Sequence, residues 1–196
     1  MTELVIGADG LARCAWGAST PDYAVYHDTE WGRPLRGDDA LFERMTLEAF
    51  QSGLSWLTIL RKRPAFRTAF DDFRIEAVAG YGEADVARLL ADAGIVRNRA
   101  KIEAAIANAR AALGLPEGLS ALLWSFAPAA DRDRPTASTG VPASTDASAA
   151  MAKALKRRGF RFVGPTTAYA LMQATGMVDD HLAGCHVVAT RANVMR

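Results

Sequence analysis

The chain has 196 residues, half of them hydrophobic, and a formal net charge of +1. That composition excludes general disorder and a broadly basic nucleic-acid coat, so any DNA contact has to come from a local patch. No apolar run reaches the length of a membrane span, and Met1 to Gly7 lacks the basic start and long apolar stretch of a secretory leader, which predicts a soluble, cytoplasmic protein.

In chain order, residues 1–12 read as a loose leader, and a single domain is expected over 13–188, with a tail at 189–196. Cys14-Ala15-Trp16-Gly17 opens the ordered part. The stretch from Tyr23 to Gly32 is dense in aromatic and polar residues without a clear period, and reads as a loop around a site or a packed corner. Asp38 is placed to cap a helix through about Gln51, with Leu41, Phe42, Met45 and Phe50 among its apolar positions. Ser52-Gly53 ends it, and Ser55 caps a second helix that Pro64 should limit. Further helices are expected near 74–80, 83–93, 99–113 and 118–126. From Pro128 to about Ser144 the composition shifts to Ala, Asp, Arg, Pro, Ser and Thr, which marks a surface loop. Thr145 or Ser144 can cap the next helix. No alternating stretch is long enough to predict a sheet, so the expected class is all-α.

That helix runs into Lys156-Arg157-Arg158-Gly159-Phe160-Arg161-Phe162-Val163-Gly164-Pro165-Thr166-Thr167. Gly164 can take a positive φ and turn the chain, and Pro165 suits the first position of a following helix. The amides of Thr166 and Thr167 would then stand at a helix N-terminus, where a phosphate binds well, with Arg161 and the preceding basic residues adding sequence-independent attraction. A plain helix-turn-helix corner with a solvated basic face has the same pattern.

Cys14 and Cys185 lie near opposite ends of the chain. In a reducing compartment a disulfide is disfavoured, and a metal is the better reason to pair them. His181 and Cys185 are four apart and would share one face of a helix, while Cys14 and His27 would arrive from the N-terminal loop. Two thiolates and two imidazoles suit a closed tetrahedral Zn²⁺ site with a structural role; two buried cysteines and two ordinary histidines are the plainer reading. His186 is a nearby competitor.

Two carboxylates are candidates for chemistry. Glu48 sits alone among Leu47, Ala49, Phe50 and Trp56, where it could be desolvated and functional or simply exposed on a helix. Asp179 follows the second helix of the basic hairpin, where it could equally cap a last helix. Tyr23, Tyr26 and Trp56 could stack on a planar ligand or fill a core.

Taken together, Cys14-Ala15-Trp16, Tyr26-His27-Asp28-Thr29-Glu30-Trp31-Gly32, Leu47-Glu48, Gln51-Ser52-Gly53-Leu54-Ser55-Trp56, Asp92 to Asn98, Trp124-Ser125-Phe126, the basic Gly-Phe hairpin, and Asp180-His181 with Cys185 closely resemble the DNA-3-methyladenine glycosylase I family. The resemblance runs from about Arg13 to about Cys185. It implies a helix–hairpin–helix DNA clamp over about 156–176, with Gly164, Thr166, Thr167 and Arg161 on the backbone of DNA. It also implies a structural zinc held by Cys14, His27, His181 and Cys185. Glu48 matches the family's base-pocket glutamate, and Tyr23, Tyr26 and Trp56 match its aromatic walls. Leu54, within Ser52-Gly53-Leu54, is the expected wedge for the gap in the base stack.

The implied activity is monofunctional removal of 3-methyladenine from alkylated double-stranded DNA in base excision repair. It would leave an abasic site and release the free base, with a monomer as the default state. Bifunctional members of the wider superfamily carry a lysine where Thr166 stands here, so no strand cleavage is expected. Two alternatives stay open: a non-catalytic zinc-containing DNA-binding module, and a glycosylase of broader specificity that uses Asp179.

Overall fold

The computed structural model describes residues 3–129 and 133–188. The expected tail at 189–196 lies outside them. Of the nine α-helices among the described residues, α2 (Asp38–Gln51) is the central one. The expected mostly helical class holds, with one departure. Leu4–Ile6 (β1) pairs antiparallel with Ala12–Cys14 (β2), in the register Leu4↔Cys14. Residues 4–6 are therefore a strand and not part of a loose leader. Strands of three residues are too short to show a period, which is why composition did not reveal them. Asp9 Oδ1 accepts from the Leu11 amide at 3.1 Å and Gly10 takes φ 76°, so the connecting turn has its own side-chain support.

The second departure is α1 (Pro21–Thr29), where a loop was expected. Its residues form no apolar stripe, so periodicity fails. The start signal was nonetheless present: Thr20 caps the helix by accepting from Tyr23 N at 3.2 Å, and Pro21 occupies the first turn. The third concerns Pro64. α3 runs Trp56–Ala69 straight through it. Ile59 on one side and Phe66 and Ala69 on the other are buried, while Pro64 itself faces solvent. The carbonyl it deprives of a donor can thus reach water, and packing on both sides outweighs the lost bond.

α2 matches its expected bounds, but its cap does not. Gly37 is the N-cap, and the Asp38 carboxylate instead accepts from Ser120 N at 2.8 Å, at the start of α7 (Leu119–Trp124). All seven residues from Arg44 to Phe50 are buried, because α3, α6 (Arg99–Leu113), α7 and α9 (Pro165–Ala174) all pack on α2. A helix covered on every side carries its one acid inside with the apolar groups. Phe50, Phe66, Phe70 and Phe73 form the aromatic centre of the core, with Phe50 and Phe66 centroids 4.8 Å apart. α4 (Ile75–Ala79) and α5 (Glu83–Ala91) close that side against α6.

α8 (Asp146–Arg157) and α9 form the expected hairpin. Thr145 caps α8 with Ser148 returning the bond. The end of α8 is a glycine cap: Gly159 at φ 89° bonds back to Lys156 O and Phe160 N to Leu155 O, with Phe160 buried beside Leu155. The sharp turn expected at Gly164 is not there, since its φ is −84°. Gly159, and Phe162 at φ 55°, hold the left-handed positions instead.

Candidate active site and metal centre

Trp16, Tyr23, Tyr26, Trp31, Glu48, Gln51, Trp56, Ala170 and Gln173 enclose a cavity of about 260 Å³. Glu48, Gln51 and Ala170 also line an adjoining cleft of about 240 Å³ with Ser52, Gly53, Leu54, Thr166 and Thr167. The candidate base-pocket residues, the candidate wedge and the candidate phosphate amides therefore form one continuous surface. Drug-sized pockets run to roughly 300–1,000 Å³, so the inner cavity suits one small planar molecule.

Each wall is placed by a specific contact. The Tyr23 hydroxyl accepts from Leu57 N at 2.9 Å, in the first turn of α3, which ties α1 to the helix carrying Trp56. The Tyr26 hydroxyl accepts from Arg44 Nη1 at 2.7 Å, and its ring lies 5.5 Å from that of Trp56. Arg44 also reaches Glu30, which Arg63 holds at 2.7 Å. Trp56 Nε1 is buried with no acceptor among the described residues.

Glu48 is 6% exposed, and no donor among the described residues bonds its carboxylate. Burial pushes its carboxyl up to about 7, opposed by the nearby Arg44 charge. The pocket thus holds an acid that is readily ionised by a positive guest and faces aromatic surfaces. A planar cation gains stacking, cation–π and ion-pair attraction there at once.

Trp16 and Trp31, which line the cavity, and Lys101 and Asn108, which support it from outside the lining, were not singled out as site residues in the sequence. Trp16 and Trp31 complete the aromatic box; both stand in runs quoted above only as motifs, and their indoles lie 5.0 Å apart. Lys101, buried, donates from Nζ to Phe50 O at 2.9 Å and Ser52 O at 2.6 Å, and so fastens the end of α2 from which Leu54 projects, 42% exposed. Asn108, also buried, brackets the hairpin turn: its Oδ1 accepts from Arg161 N at 2.7 Å and its Nδ2 donates to Arg161 O at 3.1 Å. A lysine and an asparagine on a helix give no sequence signal for such long-range backbone contacts.

Behind Trp16 and Trp31 lies a buried cluster that could hold a metal ion. The ligand atoms of Cys14, His27, His181 and Cys185 all fall within 4.8 Å of one another, and all four residues are buried. Cys185 Sγ is 3.5 Å from His27 Nε2 and 3.7 Å from His181 Nδ1, while Cys14 Sγ is 4.0 Å from His181 Nδ1. Zinc–ligand bonds of about 2.0–2.3 Å at tetrahedral angles put neighbouring ligands about 3.3–3.8 Å apart; the two Cys185 distances fall in that range and the others are wider, so the cluster suits such an ion by its chemistry and would have to draw in slightly around it. The outer contacts fit too. His27 Nδ1 faces Asp28 at 2.8 Å, His181 Nε2 faces Trp31 O at 3.2 Å, and Leu182 N donates to Cys14 Sγ at 3.3 Å. The Cys14 and Cys185 thiols act on each other as a pair, which raises Cys14 and lowers Cys185.

His181 and Cys185 are not on a helix. They flank a turn closed by Cys185 N to Leu182 O, so their four-residue spacing works through a loop. His186 does not compete, as its Nδ1 faces Ala12 O at 3.0 Å. Asp179 caps no final helix; it accepts from Arg134 Nε at 2.7 Å and from His181 N at 3.1 Å, and it does not line the inner cavity. A larger cavity of about 510 Å³ adjoins the cluster, between Glu3, Trp16, Trp31 and Asp180. Its acids are engaged, Glu3 with Ser138 N and Asp180 with Tyr169 and Gln173, so it offers no idle charged group.

The sequence profile described as "Methyladenine glycosylase" matches residues 16–188. The chain belongs to the methyladenine glycosylase family. It is 46% identical over 179 residues to DNA-3-methyladenine glycosylase 1 of Escherichia coli K12, covering 89% of this chain and 96% of that one. Among solved structures, a crystal structure of a 3-methyladenine DNA glycosylase I superposes with a TM-score of 0.85 at 45% identity, covering 89% of this chain and 98% of the other. The Staphylococcus aureus member of the family, solved to explain 3-methyladenine recognition, superposes at 0.86 with 36% identity, covering 92% and 98%. Family membership makes the chain a glycosylase.

Proposed function

We propose that this protein removes 3-methyladenine from alkylated double-stranded DNA by hydrolysis, as a monofunctional glycosylase acting in the cytoplasm as a monomer. The observation that carries the reading is Glu48, buried without a hydrogen-bond partner among the described residues inside an aromatic box that opens toward the hairpin. Family relatives named for this base support it.

Methylation at N3 makes the adenine cationic, so the base departs neutral and needs no proton donor. The work left to the protein is extrusion, capture and the stabilisation of charge. Extrusion costs a few kcal/mol and is easier for a damaged base. The amides of Thr166 and Thr167, with Gly164 and Arg161 in the hairpin of residues 156–176, hold the DNA backbone at the start of α9. Leu54, on the loop that Lys101 fastens, fills the vacated place in the stack. Tyr23, Tyr26 and Trp56 sandwich the cationic ring. Glu48, ionised by that ring's charge, accepts from its exocyclic amine and later faces the positive sugar as the bond to the base breaks. With Thr166 at the place where a Schiff-base lysine would stand, the abasic strand is left uncut.

Cys14, His27, His181 and Cys185 would hold a zinc ion, which supplies a structural cross-link and takes no part in the reaction. Residues 13–188 then act as one catalytic domain. The alternative use of Asp179 is not favoured, because its carboxylate is occupied by Arg134. A non-catalytic role is not favoured either, since a DNA clamp alone has no use for a desolvated acid in an aromatic box.

The test is release of free 3-methyladenine from alkylated duplex DNA under single turnover. The wild-type protein should release it, and Glu48→Gln should slow the release by about a hundredfold, the scale of losing one aimed electrostatic partner. Intact alkylated DNA after incubation with folded wild-type protein would refute the reading.

A further inference from the structure

Gln173 lies one helical turn beyond Ala170 on α9, and both line the inner cavity. Its Nε2 donates to Asp180 Oδ2 at 2.7 Å. Asp180 is 3% exposed, and the same oxygen accepts from the Tyr169 hydroxyl at 2.7 Å. A carboxylate accepts, so the branch of the Gln173 amide turned toward it has to be the NH₂ group. This removes the usual ambiguity of an amide's orientation. The carbonyl oxygen is left as the branch turned away from Asp180, and no donor among the described residues reaches it.

We infer that Gln173 is a second hydrogen-bond acceptor for the bound base, and that Asp180 is the positioning residue that keeps it so. This rests on the inner cavity being the base pocket. A 6-amino purine brings a donor with two N–H groups to its upper edge, enough for Glu48 and for Gln173. A 6-oxo purine brings a carbonyl oxygen to the same place. Acceptor would then face acceptor, with water excluded, and both would be left unpaired. The charge of the methylated ring is common to both bases, so Glu48, although it too loses the amine hydrogen bond to a 6-oxo base, keeps an ion-pair attraction to either, whereas the neutral fixed carbonyl of Gln173 keeps none. Gln173 therefore adds to the selection of 3-methyladenine over 3-methylguanine.

The experiment measures single-turnover excision of 3-methyladenine and 3-methylguanine from the same alkylated duplex. Gln173→Met keeps the length of the side chain and deletes the acceptor. It should lower 3-methyladenine excision by roughly tenfold, the cost of an unmade buried hydrogen bond, while 3-methylguanine excision falls less, so that the ratio collapses. Asp180→Asn gives position 180 a donor that can bond the Gln173 carbonyl and turn the amide around, and it should lower the ratio as well. Zinc content and the melting temperature are read beside it, because a purely structural defect slows both bases equally. Equal slowing by Gln173→Met, with the ratio unchanged, overturns the inference. If Gln173→Met does not fold, Gln173→Leu is titrated beside the wild type with free 3-methyladenine and with free 3-methylguanine, following tryptophan fluorescence. A preference for the amino base that is smaller in the variant upholds the inference, and an unchanged preference overturns it. Absence of any wild-type excision would instead remove the base-pocket reading itself, so the two failures are distinct.

Discussion

Arg44 and Glu48 stand one turn apart on α2, yet the Arg44 guanidinium is turned to the Tyr26 hydroxyl and to Glu30 and makes no hydrogen bond to the Glu48 carboxylate. A neighbouring cation that does not close on the acid lowers its proton affinity only partly. Burial wins, and Glu48 rests at about 7. The pocket is thereby kept short of one positive charge.

A pH dependence follows for activity. Glu48 has to be ionised to meet the cationic base, so kcat/KM should rise with pH up to about 7 and then level off, reporting the free enzyme. Glu48→Gln should lose this limb. Single-turnover rates between pH 5.5 and 8.5 check both.

Arg44→Leu removes the one cation that holds Glu48 down, so the acidic limb should move to higher pH. The variant also frees the Tyr26 hydroxyl from its donor. The same pH series, run on this variant, should show the midpoint displaced upward; a midpoint that stays put would mean Arg44 acts only through Tyr26.

Stability should move opposite to activity. The folded-state value of Glu48 is raised from 4.5 to about 7, so between those pH values the unfolded chain sheds a proton that the folded chain keeps. Stability falls as pH rises through that window and the loss is complete above it, amounting to roughly 3 kcal/mol. Glu48→Gln should therefore be more stable than wild type at pH 8 by up to about that amount, and nearly equal to it at pH 4. Urea melts at the two pH values measure the difference.

Asn108→Ala strips both bonds from the Arg161 backbone, at a cost of about 1–3 kcal/mol in a buried setting. The hairpin tip should loosen while the base cavity stays intact. DNA affinity is expected to drop severalfold and free 3-methyladenine affinity to hold, which paired titrations with duplex and free base distinguish.

Gly32→Ala should act on the metal centre. Gly32 has φ 76°, and an added Cβ would come within 2.9 Å of His181 Nε2. The ring would have to leave both Trp31 O and its place among the four ligands. The expected result is a lower melting temperature and reduced zinc content by metal analysis, with chelator treatment of the wild type giving the same fall.

The features legible in the sequence share a short range. Thr145 with Ser148, Pro165 after Gly164, and Ser52-Gly53 after α2 are decided within a few residues. Glu48 was legible because a lone acid in an apolar run is unusual, and the four metal-centre residues because their chemistry is distinctive. What could not be read depends on what arrives from elsewhere in the chain. Asp38 looked like a cap for its own helix but serves α7, 82 residues on. Pro64 looked like a stop, and only the burial of Ile59 and Phe66 on either side shows why it is not. Gln173 had no signal at all until Asp180 was seen to hold its amide.

The metal centre draws from both ends of the described chain, with Cys14 meeting His181 across 167 residues. Trp16 and Trp31 lean on the rings of His27 and His181, with centroids 5.2 and 4.7 Å apart. During synthesis, then, the box around Glu48 has no firm back wall until Cys185 has left the ribosome. A truncated translation product ending before that residue would carry the hairpin and the acid, but it could not grip a lesion.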